Sequence, residues 1–417
     1  MVQMPALTEG LKPPKGPVFG WANFRRIDAP GIPSVEDLPQ VAYTTSGRAA
    51  IYQALKQLGL PEASLVLVPT YHCPTMVGPI VLAGLVPAYF GIGANQLPDV
   101  TRIDPNVARR ARAMIVSHYF GLPQSLQEVR AWCDKHGVVL IEDCAHAYFG
   151  QAGERAIGAW GDFCTASVSK FFPVPEAGLL GSALRPLKAL QLPLQGAKAQ
   201  IKGVVDVLEI SSMHGRLQGL NIALASVLSL KGKRAVETQP DAADLASLGG
   251  SEVDTVAAMM TSCDLNRVNS KPLLSSMLIR RILPRGRIIA TRRRNFALYA
   301  KLLSDLPASH FVATLASEPV APYVFPLWVD DAQRVYHALR LHGVPVFRWD
   351  RIWPGTPVID GDIGLKWSQH LLQFLCHQDL SEEAIRWSAQ CLTTLLKPQS
   401  SVRPTQAFSP HTLPCPN

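Results

Sequence analysis

The feature that most constrains this chain is the run Val138, Val139, Leu140 and Ile141, preceded by Gly137 and closed by Glu142 and Asp143. A short, uninterrupted apolar run bounded in this way reads as a strand buried on both faces, the environment of a parallel sheet covered by helices. Asp143 then emerges at the strand's carboxyl end, which in an open α/β sheet is where ligands bind. Lys170 follows 27 residues later, at the end of Ser167, Val168 and Ser169.

The flanking sequence repeats a strand–helix alternation. Ser46 can N-cap a helix in which Ala50, Ile51, Ala54, Leu55 and Leu58 share one apolar face, and Gly59 can end it. Regular structure is expected to begin there. A strand at 65–68, a helix over 76–82 and a strand at 86–90 follow, then a strand at 113–116. Ser125 and Glu128 have the spacing of a capping box for the next helix. The run 178–184 closes the sheet, with right-handed crossovers between its parallel strands. The expected fold is therefore α/β, a mostly parallel, mixed central sheet with helices on both faces, plus a smaller C-terminal α/β domain.

The expected organisation is an N-terminal arm over 1–35, rich in Pro and Gly, that wraps the surface or reaches a partner subunit. A large domain covers 36–265. Within it, 185–265 forms an insertion, with an apolar-periodic helix over about 204–230 and a polar loop over 231–251. Residues 220–230 could pack on the core or touch a membrane; no basic face accompanies the apolar one, which favours the core. A small domain covers 266–397, with a long Arg-rich helix from about Ser275, strands at 324–329 and 344–347, and a last helix at about 381–396. The Pro-rich tail 398–417 is expected to be disordered.

At 417 residues and 47% hydrophobic content the chain can fill about two or three domains. Net charge is +8, but only 17% of residues are charged, and the excess is concentrated in seven arginines between Arg280 and Arg294. A solvated helix face, a subunit contact or a site for a phosphorylated ligand fits that cluster better than a nucleic-acid footprint. Eight cysteines show no CxxC pair and no zinc-like spacing, so no metal is assigned and a reducing cytoplasm is expected. Neither a signal-peptide core nor a transmembrane run is found, and the protein is expected to be soluble.

An amine to hold an aldehyde and a carboxylate to keep a ring nitrogen protonated are what pyridoxal 5′-phosphate (PLP) chemistry requires. Lys170 lies in the weakly charged segment 164–172, where desolvation can release its proton; an ordinary loop lysine fits the same residues. Asp143 would accept a charge-assisted bond from the pyridinium N–H, worth about 1.5–3 kcal/mol, or serve as a structural carboxylate. His146 could hydrogen-bond the phenolic oxygen, or be a satisfied core histidine. Ser46, Gly47 and Arg48 offer a helix N-terminus for the phosphate, where a plain cap is the alternative. Thr165 and Ser167 are candidate hydroxyls for the same phosphate.

In order along the chain, Ser46-Gly47-Arg48-Ala49-Ala50, Val68-Pro69-Thr70-Tyr71, His118-Tyr119-Phe120-Gly121, Ile141-Glu142-Asp143-Cys144-Ala145-His146, Gly161-Asp162 and the Ser-containing loop to Lys170 resemble the motifs of the DegT/StrS family. These are fold type I, PLP-dependent aminotransferases, and this chain resembles a divergent subgroup. The resemblance covers residues 40–185 well and 270–395 more loosely. Arg48 stands where the family usually has Thr. Cys73 stands where it usually has a ring-stacking aromatic, which leaves Tyr71 or His72 for that stack. The loop from Gly161 to Lys170 is about two residues shorter than usual and continues as Phe171-Phe172-Pro173 instead of a glycine-rich run.

The resemblance implies a homodimer with its site at the subunit interface, Lys170 as the catalytic amine, and transfer of an amino group from a donor such as glutamate. The implied acceptor is a nucleotide-linked keto-sugar in polysaccharide or secondary-metabolite biosynthesis. Two alternatives stand beside it: a PLP enzyme that eliminates or dehydrates, and a catalytically silent regulator or scaffold on the same fold. The family's sugar dehydratases carry histidine in place of the lysine, so Lys170 speaks against the first.

Overall fold

The computed structural model describes residues 4–6, 13–28, 31–221, 252–312 and 320–397. The expected loop 231–251, most of the second half of the helix over 204–230, and the tail 398–417 lie outside the described residues.

The apolar runs become strands of one seven-stranded sheet. β1 (Gln40–Thr44), β2 (Leu65–Pro69), β3 (Val86–Phe90), β4 (Ala111–Ser117) and β5 (Val139–Asp143) come first in the chain. After a short hairpin, β6 (Gln151–Ala152) and β7 (Arg155–Ala156), the sheet is completed by β8 (Phe163–Ser167) and β9 (Gly178–Ser182). Their spatial order is β1-β9-β8-β5-β4-β2-β3. β3, β2, β4, β5 and β8 run parallel, and β9 is antiparallel to both β8 and β1. All five residues of β5 are buried, as a central strand covered on both sides requires. Pro87 lies in β3 at the sheet's edge, where a missing N–H costs no ladder bond.

Helices α1 (Gly47–Leu58), α2 (Pro74–Leu82), α3 (Pro105–Arg110) and α4 (Gln127–His136) connect these strands. α1 is built as its sequence dictates: Ser46 Oγ accepts from the Ala49 N–H at 3.2 Å, and Gly59 ends the helix at φ 60°. α5 (Ala197–Met213) and α6 (Glu252–Ser262) follow β9, then α7 (Leu274–Ile282) and α8 (Arg285–Leu302). A smaller antiparallel sheet, in the order β10 (Val324–Trp328), β12 (Leu371–Leu375), β11 (Val346–Phe347), packs with α9 (Ala332–Leu341), α10 (Gly364–His370) and α11 (Glu382–Leu396). Ile279, Leu283, Ile288 and Ile289 join the core of the large sheet, whereas Phe296 and Tyr299 join the small one, so α8 bridges two cores.

Several local expectations change. Regular structure begins at β1, before Ser46, because an antiparallel strand at the margin carries no long apolar run. The capping box at 125–128 does not form: Ser125 Oγ donates to Glu154 at 3.2 Å, and α4 starts at Gln127. The Arg-rich helix is two helices, interrupted before Pro284, which has no N–H to continue the ladder. The helix expected over 204–230 starts earlier, at Ala197, and ends at Met213, with Gly215 left-handed just beyond (φ 63°).

The described part of the arm folds back on its own chain: the Val18 N–H and the Asn23 side chain both donate to Asp379 at 3.1 Å. The arginine cluster is largely used internally. Arg280 and Arg285 bind buried Glu36 at 2.5 and 2.6 Å, and Arg287 binds Asp379 at 2.8 Å. Among the described residues no helix is long and apolar enough to cross a membrane.

Candidate active site

Parallel register sets the site. Ser117 and Asp143 stand side by side at the carboxyl ends of β4 and β5, in register with Thr165 in the middle of β8. Because side chains alternate along a strand, Glu142 and Asp143 face opposite ways. Glu142, fully buried, accepts the N–H groups of Gly158 (3.1 Å), Trp160 and Gly161 (2.5 Å each), and His118 Nε2 lies 2.9 Å from it. It fastens the loop that leads into β8. His118, Glu142 and Cys144 lie as close together as the ligands of a metal ion, but that carboxylate's acceptor sites are already filled by four donors.

Asp143 instead faces a cavity of about 190 Å3, lined also by Ser46, Gly47, Arg48, Cys73, Ser117, His146, Ser167, Ser169, Lys170 and Trp349. Its Oδ1 accepts the Ala145 N–H at 3.0 Å, which fixes the carboxylate plane. Burial pushes the Asp143 carboxyl up, opposed chiefly by the nearby Lys170 cation. Lys170 ends the turn Val168–Lys170 directly after β8. Burial pulls its ammonium below the ordinary lysine value against the upward pull of Asp143. The result is an amine primed to lose its proton beside a carboxylate.

The first turn of α1 lines the same cavity. A helix leaves its first N–H groups without intrahelical partners, and here that turn is flanked by Ser167 and Ser169, whose hydroxyl oxygens are 3.4 Å apart. Close approach of β9 to this turn needs a residue without a side chain: a Cβ on Gly178 would lie 2.1 Å from the Ser46 carbonyl oxygen. Arg48 lines the cavity too, its guanidinium bound to Asp264 at 3.1 Å. His146 packs its ring 4.3 Å from that of Tyr323 and 4.5 Å from that of Trp349. Burial holds it well below the usual imidazole range.

Of the residues expected from sequence, Gly47, Arg48, Asp143, His146, Ser167 and Lys170 line this one cavity. Tyr71, His72 and Thr165 do not. Tyr71 is buried among Tyr119, Trp349 and Trp367, and its hydroxyl accepts from Gln373 at 2.9 Å. His72 is held by the Pro69 carbonyl and the Trp353 N–H, its ring inside the fold. Thr165 lies beneath, its hydroxyl 3.5 Å from the Glu142 carbonyl. Sequence reasoning missed Ser169, Tyr323 and Trp349. Ser169 carried a signal, one residue before the lysine; the aromatics come from the C-terminal part of the chain and carried none.

A second, larger space of about 710 Å3 adjoins the first and shares Cys73, Thr75, His146, Lys170 and Trp349 with it. Its remaining walls include Pro74, Ala258 and Ser262 of α6, Tyr323, Phe347, Arg348 and Arg351. Trp349 thus stands where the two spaces meet. The left-handed Phe120 (φ 60°) helps bring the C-terminal wall to this place, its carbonyl accepting the Tyr323 N–H at 2.8 Å.

The donor set suits PLP: a carboxylate for a ring nitrogen, a depressed amine, and a helix N-terminus with two hydroxyls for a dianion. His146 Nδ1, buried and without a hydrogen-bond partner, is the polar atom left over for a further ligand oxygen.

Comparison with known proteins follows the same lines. Residues 38–180 match the DegT/DnrJ/EryC1/StrS aminotransferase family. GDP-perosamine synthase of Vibrio cholerae is 30% identical over 189 residues, 43% of this chain and 52% of that protein. An L-glutamine:2-deoxy-scyllo-inosose aminotransferase of Streptoalloteichus tenebrarius is 24% identical over 321 residues, 75% of this chain and 72% of that one. The match to the first of these relatives thus spans about half its length. Among solved structures, DesV of S. venezuelae superposes with a TM-score of 0.57 at 16% identity, over 86% of this chain and 85% of that one, which establishes the fold.

Proposed function

We propose that this chain, whose residues 38–180 belong to the DegT/DnrJ/EryC1/StrS aminotransferase family, is a PLP-dependent aminotransferase that moves an amino group from an amino acid to a keto-sugar. The observation that carries this reading is Asp143, Lys170 and the N-terminus of α1 on one cavity.

When bound there, PLP supplies an electron sink for the donor's α-carbon. Asp143 would accept the ring N–H and keep that nitrogen charged. Gly47, Arg48, Ser167 and Ser169 would bind the phosphate, and His146 Nδ1 would meet the phenolic oxygen. Lys170 would hold the cofactor's aldehyde through its amine and, once freed from it, would serve as the base and acid that moves the proton of the donor's α-carbon. Burial, which pulls its pKa below the ordinary lysine value, favours the unprotonated amine that a nucleophile and base must be. Trp349 and Tyr323 keep water from this exchange.

The larger space, open to Lys170, receives the substrates. Glutamate is the proposed donor and a nucleotide-linked keto-sugar the proposed acceptor, in polysaccharide or secondary-metabolite biosynthesis; relatives named for perosamine and aminoinosose formation support that class. We place the enzyme in the cytoplasm, a reading supported by seven free cysteines among the described residues. We also propose a homodimer, supported by the exposed stripe Leu274, Leu278 and Ile282 on α7.

The test is the donor half-reaction. The PLP-loaded protein is mixed with glutamate, or with glutamine, and oxo-acid release is measured together with the cofactor's absorbance. Release of one oxo acid per site, lost in Lys170→Ala with the fold intact, is expected; a folded, PLP-loaded protein inert to every amino donor tried would contradict the reading.

A further inference from the structure

Arg292 on α8 is fully buried, yet the acceptors that the described residues give it are neutral. Its Nη2 donates to the Lys170 carbonyl at 2.6 Å, its Nη1 to the Pro322 carbonyl at 3.2 Å and its Nε to the Gln378 side-chain oxygen at 3.1 Å. The guanidinium also rests over the Phe171 ring, 4.3 Å from its centroid. Burial pulls it down to about 10. A buried cation without a counter-charge is destabilising, so apolar side chains would join packed segments with less penalty. What apolar side chains cannot do is hold a carbonyl group in a set direction.

Two consecutive carbonyls are held in this way. Gln378, which accepts from Arg292, donates its Nε2–H to the Phe171 carbonyl at 2.8 Å. On the other side of the turn, the Val168 N–H donates to the Ala177 carbonyl at 2.9 Å. The two peptide planes that follow Lys170 are therefore held at both ends: their N–H groups donate to the Val168 carbonyl at 3.0 and 2.9 Å, and their carbonyls are held by Arg292 and Gln378 from the C-terminal part of the chain.

We propose that Arg292, together with Gln378, is a positioning residue: by fixing the carbonyls of Lys170 and Phe171 it sets the direction in which the Lys170 side chain leaves the backbone. It thereby places the amine between Asp143 and the incoming substrate. This rests on the reading of Lys170 as the amine that holds PLP and moves the proton.

Arg292→Lys keeps the cation but replaces the guanidinium fork with a single point, and Gln378→Met removes the tie to Phe171. Arg287→Met is the matched control: on the same helix, it breaks bonds to the Gln378 carbonyl (3.0 Å) and to Asp379 (2.8 Å) without touching the Lys170 peptide. For each variant the thermal midpoint, the PLP dissociation constant, and the rate and half-saturation of the glutamate half-reaction are measured. Arg292→Lys and Gln378→Met are expected to bind PLP as the unaltered protein does, with unchanged half-saturation, while the saturated rate falls about tenfold to a hundredfold, the cost of a misplaced reacting group.

Arg287→Met is expected to keep the full rate even where it lowers the thermal midpoint as much. An undiminished rate in Arg292→Lys would overturn the proposal, as would an equal loss in Arg287→Met. Should Arg292→Lys not fold, Gln378→Met decides alone. If the unaltered protein fails to capture PLP, the reading of Lys170 has failed and this inference falls with it.

Discussion

Replacing Asp143 with Asn isolates the charge of the carboxylate from its shape. Asp143 is only 8% exposed, and the bond from the Ala145 N–H to Oδ1 at 3.0 Å is one that an amide oxygen can equally accept. The loop over 144–147 should therefore hold its form. What changes is the bond to the cofactor's ring nitrogen. A hydrogen bond between two charged partners contributes about 1.5–3 kcal/mol, and every 1.4 kcal/mol is a factor of ten, so PLP should bind about tenfold to a hundredfold more weakly.

A second effect acts on Lys170. Asp143 is the leading influence that holds the Lys170 proton on; without it the ammonium pKa falls further, so a shortage of neutral amine cannot explain a loss of rate. Any fall in the saturated half-reaction then reports the weakened electron sink. The assay is titration of the cofactor-free variant with PLP by absorbance, followed by the glutamate half-reaction. An Asp143→Asn protein with the dissociation constant and saturated rate of the unaltered enzyme would refute the pairing of this acid with the ring nitrogen.

Gly178→Ala places a Cβ 2.1 Å from the Ser46 carbonyl oxygen and 2.7 Å from the Gly47 nitrogen, so the first turn of α1 must shift. The expected cost is about 1–3 kcal/mol in stability and a selective loss of PLP affinity over that of pyridoxal, which lacks the phosphate; equal losses for both ligands would argue against α1 as the phosphate site. His72 and His377 are buried and neutral, each lowered from 6.5 to about 4. In that window the unfolded chain binds more protons than the folded one, so stability is complete above pH 6.5 and declines as pH falls toward 4, by on the order of 3 kcal/mol per histidine. Denaturant midpoints between pH 4 and 7 should fall accordingly and fall less in His377→Gln; a flat profile would contradict the burial argument.

Local rules made parts of the site legible from the residues alone. β5 could be read because four apolar residues in a row have few other places to go, and Asp143 followed from the strand's end. α1 could be read because Ser46 and Gly59 mark its ends in the residues themselves. The C-terminal wall could not. Trp349 and Tyr323 line the site, and Arg292 holds the Lys170 carbonyl, through contacts more than a hundred residues away in sequence, and no periodicity encodes such pairings. Tyr71 looked like a cofactor neighbour because it follows a strand-end proline, but Trp367, Tyr119 and Gln373 draw it into the second core. Ser125 had the spacing of a cap, but its hydroxyl donates to Glu154 and accepts only from the Gln127 N–H at 3.4 Å, so no box forms with Glu128. β1 was missed since a strand of mixed composition declares itself only through the neighbour it pairs with, and β12 was missed although four of its five residues are apolar.

The central claim is that one buried amine, that of Lys170, carries the cofactor. Borohydride reduction of the PLP-loaded protein, followed by proteolysis and mass mapping, tests it most directly. The account predicts a single modified peptide, with the added pyridoxyl mass on Lys170. Modification of another lysine, or a folded protein that takes up PLP and yields no reduced adduct, would contradict it.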